Sequence, residues 1–273
     1  MEMLPYSFVS EAELRMAHQF QEQGYVISRV ADERGFQKIQ ELIAETAADF
    51  LGSTLEDPET FLNQIHQHID VAKLNSLRLH VIRQMNTQTW FRNSYFQLAK
   101  LALEMLVGNE LAMQLRINLS IQLPQDESSL LPVHADVWSG DSPYEVVVWL
   151  PLVDCYHTKA MYLLPPSVDK QLREEFGQWA GRSSEELFRR IENEVTWIEI
   201  KAGEVLIFNQ NLPHGNRVNQ ESETRWSMNC RFKSVFTPYG DKKIGEFFEP
   251  ITLKAASRVG MNYRFPQLPS QSD

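Results

Sequence analysis

The apolar residues of this chain change period at about Leu111. Before that point they recur at helical spacing, as in Phe36, Ile39, Leu42, Ile43 and Ala47, and in Leu74, Leu77, Val81 and Met85. After it they alternate with polar residues or run in short apolar blocks, as in Gln114–Gln122 and Tyr144–Leu150. A 3.6-residue period buries one stripe of a helix, and a two-residue period buries one face of a strand. The expected fold is therefore α+β with a mainly β core, helices first and sheet second.

Local signals place the elements. Ser10 caps a first helix with Glu13 at the capping-box position, and Gly24 ends it. Tyr25–Val30 reads as a short strand. Asp32 caps a helix running to about Leu51, and Asp57-Pro58 starts another. Beyond Leu111, strands are expected at Gln114–Gln122, around His134, at Tyr144–Leu150, Ala160–Leu164, Val195–Ile200, Glu204–Phe208 and Arg225–Val235, with a helical insertion near Ser167–Asn193. No linker divides the chain, so one domain is expected, with the N-terminal helices outside a single β core.

Acidic residues outnumber basic ones 36 to 26, a formal charge of −10. Phosphate-backbone binding needs clustered Lys and Arg, so nucleic acid is excluded as the main partner. No apolar run reaches membrane-span length, and Met1–Pro5 lacks a basic region followed by an apolar one. The two cysteines, Cys155 and Cys230, have no zinc-type spacing, and a reduced, cytoplasmic setting is expected.

The chemistry concentrates in Pro132–Trp138. On a strand, His134 and Asp136 would share a face. Eighty residues on, His214 in Leu212-Pro213-His214-Gly215 offers a third ligand. His-x-Asp with a distant His is the sequence form of the 2-His-1-carboxylate facial triad, which suits Fe(II) and leaves one metal face open. Among seven histidines an Asp at +2 arises by chance in roughly a third of chains, so the pair alone is weak. His66 and His68 fall in a helical region, where i and i+2 diverge, and His18, His80 and His157 read as structural. Eleven residues past His214 stands Arg225, followed by Ser227 on the same strand face. A guanidinium and a hydroxyl so placed can hold a carboxylate.

From about Gly24 to Phe232 the chain resembles the Fe(II)/2-oxoglutarate-dependent oxygenases, in the phytanoyl-CoA dioxygenase-like branch. Gln19–Ile27 resembles the branch's N-terminal helix and strand, Pro132–Trp138 its first ligand motif, and Val146–Asp154 its central strand. Met161–Ser167 resembles its "pGSH" turn, with Pro166 in place of the glycine and Val168 in place of the histidine. Gly203–His214 and Arg225–Phe232 resemble the second-ligand and co-substrate segment. Leu131–Trp149 looks most like oxygenases found alongside carbohydrate or surface-polysaccharide biosynthesis.

The resemblance implies a double-stranded β-helix (jelly-roll) core at 111–238, with the insertion at 167–193, a mostly helical flank at 1–110 and a tail at 239–273. It implies His134, Asp136 and His214 as catalytic Fe(II) ligands, and Arg225 with Ser227 as the anchor for the distal carboxylate of 2-oxoglutarate. Gln122 and Asn118 are candidates for the co-substrate's metal-side carboxylate, or are plain polar residues on a wet strand face. Arg231 is a rival to Arg225 at a longer spacing. Trp138 and Trp149 either wall the pocket or are plain core. Asp141, in the polar loop Ser139–Glu145, is a candidate substrate contact, the alternative being a solvated hairpin.

The implied reaction consumes O2 and 2-oxoglutarate, releases succinate and CO2, and hydroxylates an unactivated C–H of a small polar metabolite of sugar or nucleotide-sugar type. Related halogenases lack the carboxylate that Asp136 supplies, so halogenation is not expected. Alternatives are the same cofactor chemistry on a secondary metabolite, as hydroxylase, desaturase or epimerase, and a non-catalytic cupin-like binding module. The insertion suits a lid or a homodimer contact.

Overall fold

A computed structural model describes residues 8–266. The Met1–Pro5 stretch and the polar end at Pro269–Asp273 lie outside the described residues. Helix α1 (Glu11–Gln23) carries the reciprocal Ser10/Glu13 capping box, and Gly24 closes it at φ 81°. A Cβ at Gly24 would also sit 2.2 Å from Leu212 Cδ1, so this turn is closed to larger residues. Strand β1 (Tyr25–Arg29) follows, then α2 (Glu33–Leu51) capped by Asp32, α3 (Pro58–Gln64), α4 (Val71–Thr87) and α5 (Phe91–Leu106).

The later chain gives β2 (Leu111–Gln114), β3 (Asn118–Gln122), β4 (Val146–Pro151) and β5 (Tyr162–Leu163). The insertion forms α6 (Pro166–Glu175) and α7 (Ser184–Ile191). Then come β6 (Thr196–Trp197), β7 (Glu204–Asn209), β8 (His214–Gly215), β9 (Arg225–Ser234), β10 (Phe248–Pro250) and α8 (Ala255–Asn262). The strands form a seven-stranded antiparallel sheet in the order β1-β7-β4-β9-β2-β10, with β3 also paired to β9, and a three-stranded sheet β6-β5-β8. The architecture is α+β with an antiparallel core. The end of the chain is less irregular than its sequence: β10 adds an edge strand to the large sheet.

Strand β9 organises the whole. Its even residues, Trp226, Met228, Cys230 and Phe232, are buried against the helices, where Ile39, Ile43, Leu77, Val81 and Tyr95 join one continuous core. Each such side chain contributes about 1.5–3 kcal/mol by leaving water. The Tyr95 hydroxyl donates to the Val148 carbonyl at 2.9 Å, which ties α5 to the centre of the sheet. The odd residues of β9 face the other way, into a cavity.

Two expected strands differ. Gln114–Gln122 is not one strand but two. Between Met113↔Phe232 and Asn118↔Asn229 the chain spends two more residues than β9 does. Arg92 captures the carbonyls of Gln114 and Leu115 as they leave the ladder, and the Leu115 N–H donates to the Phe247 carbonyl, so the start of the bulge keeps hydrogen-bond partners. The segment around His134 is not a strand either. It makes a single bridge, His134↔His214, and Asp136 then opens a 3-10 turn, Asp136–Ser139. The insertion is no free arm: Leu172, Leu187, Phe188 and Ile191 pack on Tyr162 and Leu164 of the small-sheet region.

Candidate metal centre and anion anchor

His214 begins β8, and His134 lies beside it. The His134 N–H donates to the His214 carbonyl at 3.0 Å, and the His214 N–H returns a bond to the His134 carbonyl at 2.8 Å. This bridge brings the two rings to 4.3 Å between centroids. Asp136 reaches the same point by a different route from strand alternation: its N–H is held by the Gln210 carbonyl at 3.1 Å, and the 3-10 turn swings its carboxylate back to 3.6 Å from His134 Nε2. One ligand atom from each of His134, Asp136 and His214 lies within 4.8 Å of the others.

Both imidazoles have a defined tautomer. Nδ1 of His134 sits 2.9 Å from the Pro132 carbonyl, and Nδ1 of His214 sits 2.9 Å from the Leu212 carbonyl. A carbonyl only accepts, so each Nδ1 carries the proton and each Nε2 presents a lone pair. Burial, joined by the neighbouring His134, lowers the His214 pKa to about 4. Burial also opposes charge on His134, but its hydrogen bonds to Asp136 and the Pro132 carbonyl outweigh it and raise its pKa. Burial likewise works against the Asp136 carboxylate, yet His134, His214 and Arg231 together hold its pKa well below the usual range. Two imidazoles and a carboxylate converging on an open face are the donor set that suits a divalent first-row metal.

A cavity of about 410 Å³ opens above these residues. One face of β9 supplies Arg225, Ser227, Asn229 and Arg231 to its wall. Arg225 is the unusual member. It is buried, and its guanidinium donates only to the Ala160 carbonyl at 3.3 Å and the Ser120 hydroxyl at 3.2 Å. Among the described residues no carboxylate neutralises it. Burial lowers its pKa to about 10, so it remains a cation at neutral pH. Arg225 Nε and Ser227 Oγ are both buried without a hydrogen-bond partner. An unpaired buried cation beside an idle hydroxyl is costly unless an anion completes it.

The other sequence-derived residues divide. Asn118 lines the cavity and donates to Asn229 Oδ1 at 2.9 Å, and Trp149 contributes to the wall. Gln122 does not line it: it is buried opposite Arg225 and donates to the Arg217 carbonyl at 2.7 Å. Ser120, two pairs further along β3 and facing Ser227, reaches Arg225 instead. Trp138 lies outside the wall, 42% exposed and stacked on Phe176 with centroids 4.9 Å apart. Asp141 also lies outside it, buried and engaged by Lys242 at 2.5 Å and Arg231 at 3.5 Å. The loop Ser139–Glu145 is therefore no solvated hairpin at Asp141, because two cations draw that carboxylate inward.

Arg231 is not a second carboxylate anchor. Its guanidinium is spent on Asp136 at 2.8 Å, Asp141 and Gln210 Oε1 at 3.0 Å. The alternation of β9 places Arg231 on the site face, but nothing in the local sequence signals its pairing with Asp136.

The fold is similar to solved non-heme proteins. The structure titled "Non-heme monooxygenase, ThoJ-Ni complex" aligns with TM-score 0.55 at 16% identity, covering 94% of this chain and 90% of that one. EctD from S. alaskensis with 2-oxoglutarate and 5-hydroxyectoine aligns with TM-score 0.53 at 17% identity, covering 87% and 80%. HygX from Streptomyces hygroscopicus with nickel and 2-oxoglutarate bound aligns with TM-score 0.50 at 12% identity, covering 85% and 89%. The sequence matches no family profile and no curated protein.

Proposed function

We propose that this chain is a non-heme Fe(II)- and 2-oxoglutarate-dependent oxygenase that hydroxylates an unactivated C–H of a small polar metabolite. The observation that carries the reading is Arg225. A buried guanidinium with no carboxylate partner shares one cavity, and one strand face, with the idle Ser227 hydroxyl and opens onto the His134/Asp136/His214 cluster. A protein that only held a metal would have no use for it.

In this reading Nε2 of His134, Nε2 of His214 and a carboxylate oxygen of Asp136 hold Fe(II). Arg225 and Ser227 take the distal carboxylate of 2-oxoglutarate. Iron and 2-oxoglutarate, when bound, would supply the electrons that activate O2, with succinate and CO2 as co-products. The chain's own residues orient and shield. The two Nδ1–carbonyl bonds fix the ring orientations and aim each Nε2 at the shared point. Trp149, Met161 and Phe208 wall the metal side with apolar surface, which keeps bulk water from the reacting carbon. Asn118 and Asn229 line the cavity with polar atoms suited to a hydroxyl-bearing substrate, which supports the sugar or nucleotide-sugar class.

We read the two antiparallel sheets as the two faces of a jelly roll, and residues 1–273 as one oxygenase domain of the phytanoyl-CoA dioxygenase-like branch. Both cysteines are free and buried, which fits a reduced compartment such as the cytoplasm. No helix among the described residues is long and apolar enough to cross a membrane.

The test is anaerobic addition of Fe(II) and 2-oxoglutarate, read as a visible metal-to-ligand charge-transfer band. The band is expected in the native protein and absent in Asp136→Ala and His214→Ala. Arg225→Ala should need far more 2-oxoglutarate to reach it. No band in the native protein, or the same titration in Arg225→Ala, overturns the reading.

A further inference from the structure

The cavity holds a second unspent cation. Arg78, on α4, lines its rim. The guanidinium donates to Asn75 Oδ1 at 2.7 Å, one turn back on the same helix, and makes no ion pair among the described residues. The three arginines of the wall thus differ in what they face. Arg231 is neutralised by Asp136 and Asp141. Arg225 lies buried beside Ser227, where the co-substrate carboxylate belongs in the reading above. Arg78 is left over, and the only carboxylate in the wall is Asp136.

The rim around Arg78 is already organised. Ser128 and Ser129 line it, and Asp126 fixes both, accepting from the Ser128 N–H at 2.7 Å and the Ser129 hydroxyl at 2.6 Å. Asn216 ties this loop to the strand of His214, accepting from the Leu131 N–H at 2.5 Å and donating to the Ser129 carbonyl at 3.3 Å. The loop is therefore braced against the strand that carries a metal ligand. An Arg guanidinium offers paired N–H donors that match a carboxylate or phosphate. In a chain of net charge −10, a cation without an ion-pair partner in the cavity lining is a local attraction for an arriving anion.

We propose that the molecule oxidised here carries an oxyanion, a carboxylate or phosphate, that Arg78 grips at the rim while its reacting carbon faces the metal. The proposal rests on the oxygenase reading for the identity of the second ligand, but the anion site itself stands on Arg78 and its rim. With the metal ligands and Arg225 occupied, Arg78 remains the cation that distinguishes an acidic substrate from its neutral analogue.

The probe is inorganic phosphate, added at constant ionic strength to the full-length protein held anaerobically with Fe(II) and saturating 2-oxoglutarate. The 31P line is broadened when phosphate resides near the paramagnetic metal. Native protein should give saturable broadening. Arg78→Gln should weaken it at least tenfold, while Arg78→Lys stays within about threefold of native by keeping the charge. The charge-transfer band, read in the same samples, should be equal in all three and reports that the fold and the co-substrate site are intact. Broadening that never saturates in native protein, or is unchanged in Arg78→Gln, overturns the proposal. Arg78-dependent saturation without any band would uphold the anion site and sink the oxygenase reading instead.

Discussion

Arg231 Nη2 lies 2.8 Å from Asp136 Oδ1, a largely buried ion pair in the cavity wall. The same guanidinium reaches Asp141 and Gln210, so one cation fixes the carboxylate ligand against the polar loop that follows it. Removing one member of a buried pair leaves the other uncompensated, at a cost of about 3–5 kcal/mol. Arg231→Gln should lower the unfolding free energy by an amount of that order, read as a lower denaturant midpoint at unchanged slope, and Arg231→Lys by less. A midpoint within experimental error of native in Arg231→Gln would show that the pair is not structural.

Arg225 should behave in the opposite way. It is a buried cation awaiting a partner, so Arg225→Met ought to leave the ligand-free protein as stable as native or more so, while abolishing 2-oxoglutarate binding. In native protein, 2-oxoglutarate at a hundred times its Kd should add about 2.7 kcal/mol. Thermal unfolding with and without 2-oxoglutarate checks both. Stabilisation of Arg225→Met by the ligand would refute the anchor.

Gly215 follows His214 at a point with no room. A Cβ there would come within 2.6 Å of the Tyr162 hydroxyl and 2.7 Å of the Leu131 carbonyl. The backbone carbonyl is held in place, since it accepts from the Asn216 N–H at 3.0 Å beside the bridge that pairs His134 with His214. Gly215→Ala should therefore part the two histidines and weaken divalent metal binding by tenfold or more, with the helical circular-dichroism signal retained. Native affinity in that variant, measured by Co(II) titration, would contradict this.

Metal loading should depend on pH through His134 first. His214, at about 4, is already neutral across the physiological range, whereas the raised pKa of His134 keeps a proton competing with the metal. Between about pH 5 and the pKa of His134, binding should release close to one proton, and affinity should fall as pH falls. Below about 4 the release should approach two. For the metal-free protein the signs differ. The depressed pKa of His214 makes stability rise with pH from about 4 to its unfolded value of 6.5, while the raised pKa of His134 adds stability at low pH that is lost as pH climbs through it. Calorimetry in buffers of different ionisation enthalpy counts the protons directly. No dependence of affinity on pH between 5 and 7 would exclude His134 as a ligand.

What the sequence made legible is what periodicity encodes. The switch from a 3.6 to a two-residue period located the sheet, and alternation along Arg225–Phe232 put Arg225 and Ser227 on one face, where the structure also has Asn229 and Arg231. The caps at Ser10, Asp32 and Asp57 are all made. Features decided by distant partners were not legible. Asp141 reads as an exposed loop residue until Lys242, a hundred residues away, is seen to hold it inside. Gln122 and Ser120 share a strand face, and although the register sets Gln122 opposite Arg225, the Arg217 carbonyl takes Gln122 and Ser120 reaches the guanidinium. His134 and Asp136 converge through a 3-10 turn that no alternation pattern announces.

The reciprocal bonds between the backbones of His134 and His214 have a consequence for how the protein comes into being. The two imidazoles are neighbours only after eighty residues of intervening chain have closed the smaller sheet. A nascent or half-unfolded copy presents scattered histidines and no chelating face. Under the proposed function, capture of a metal ion is thereby deferred until the surroundings that control it are complete.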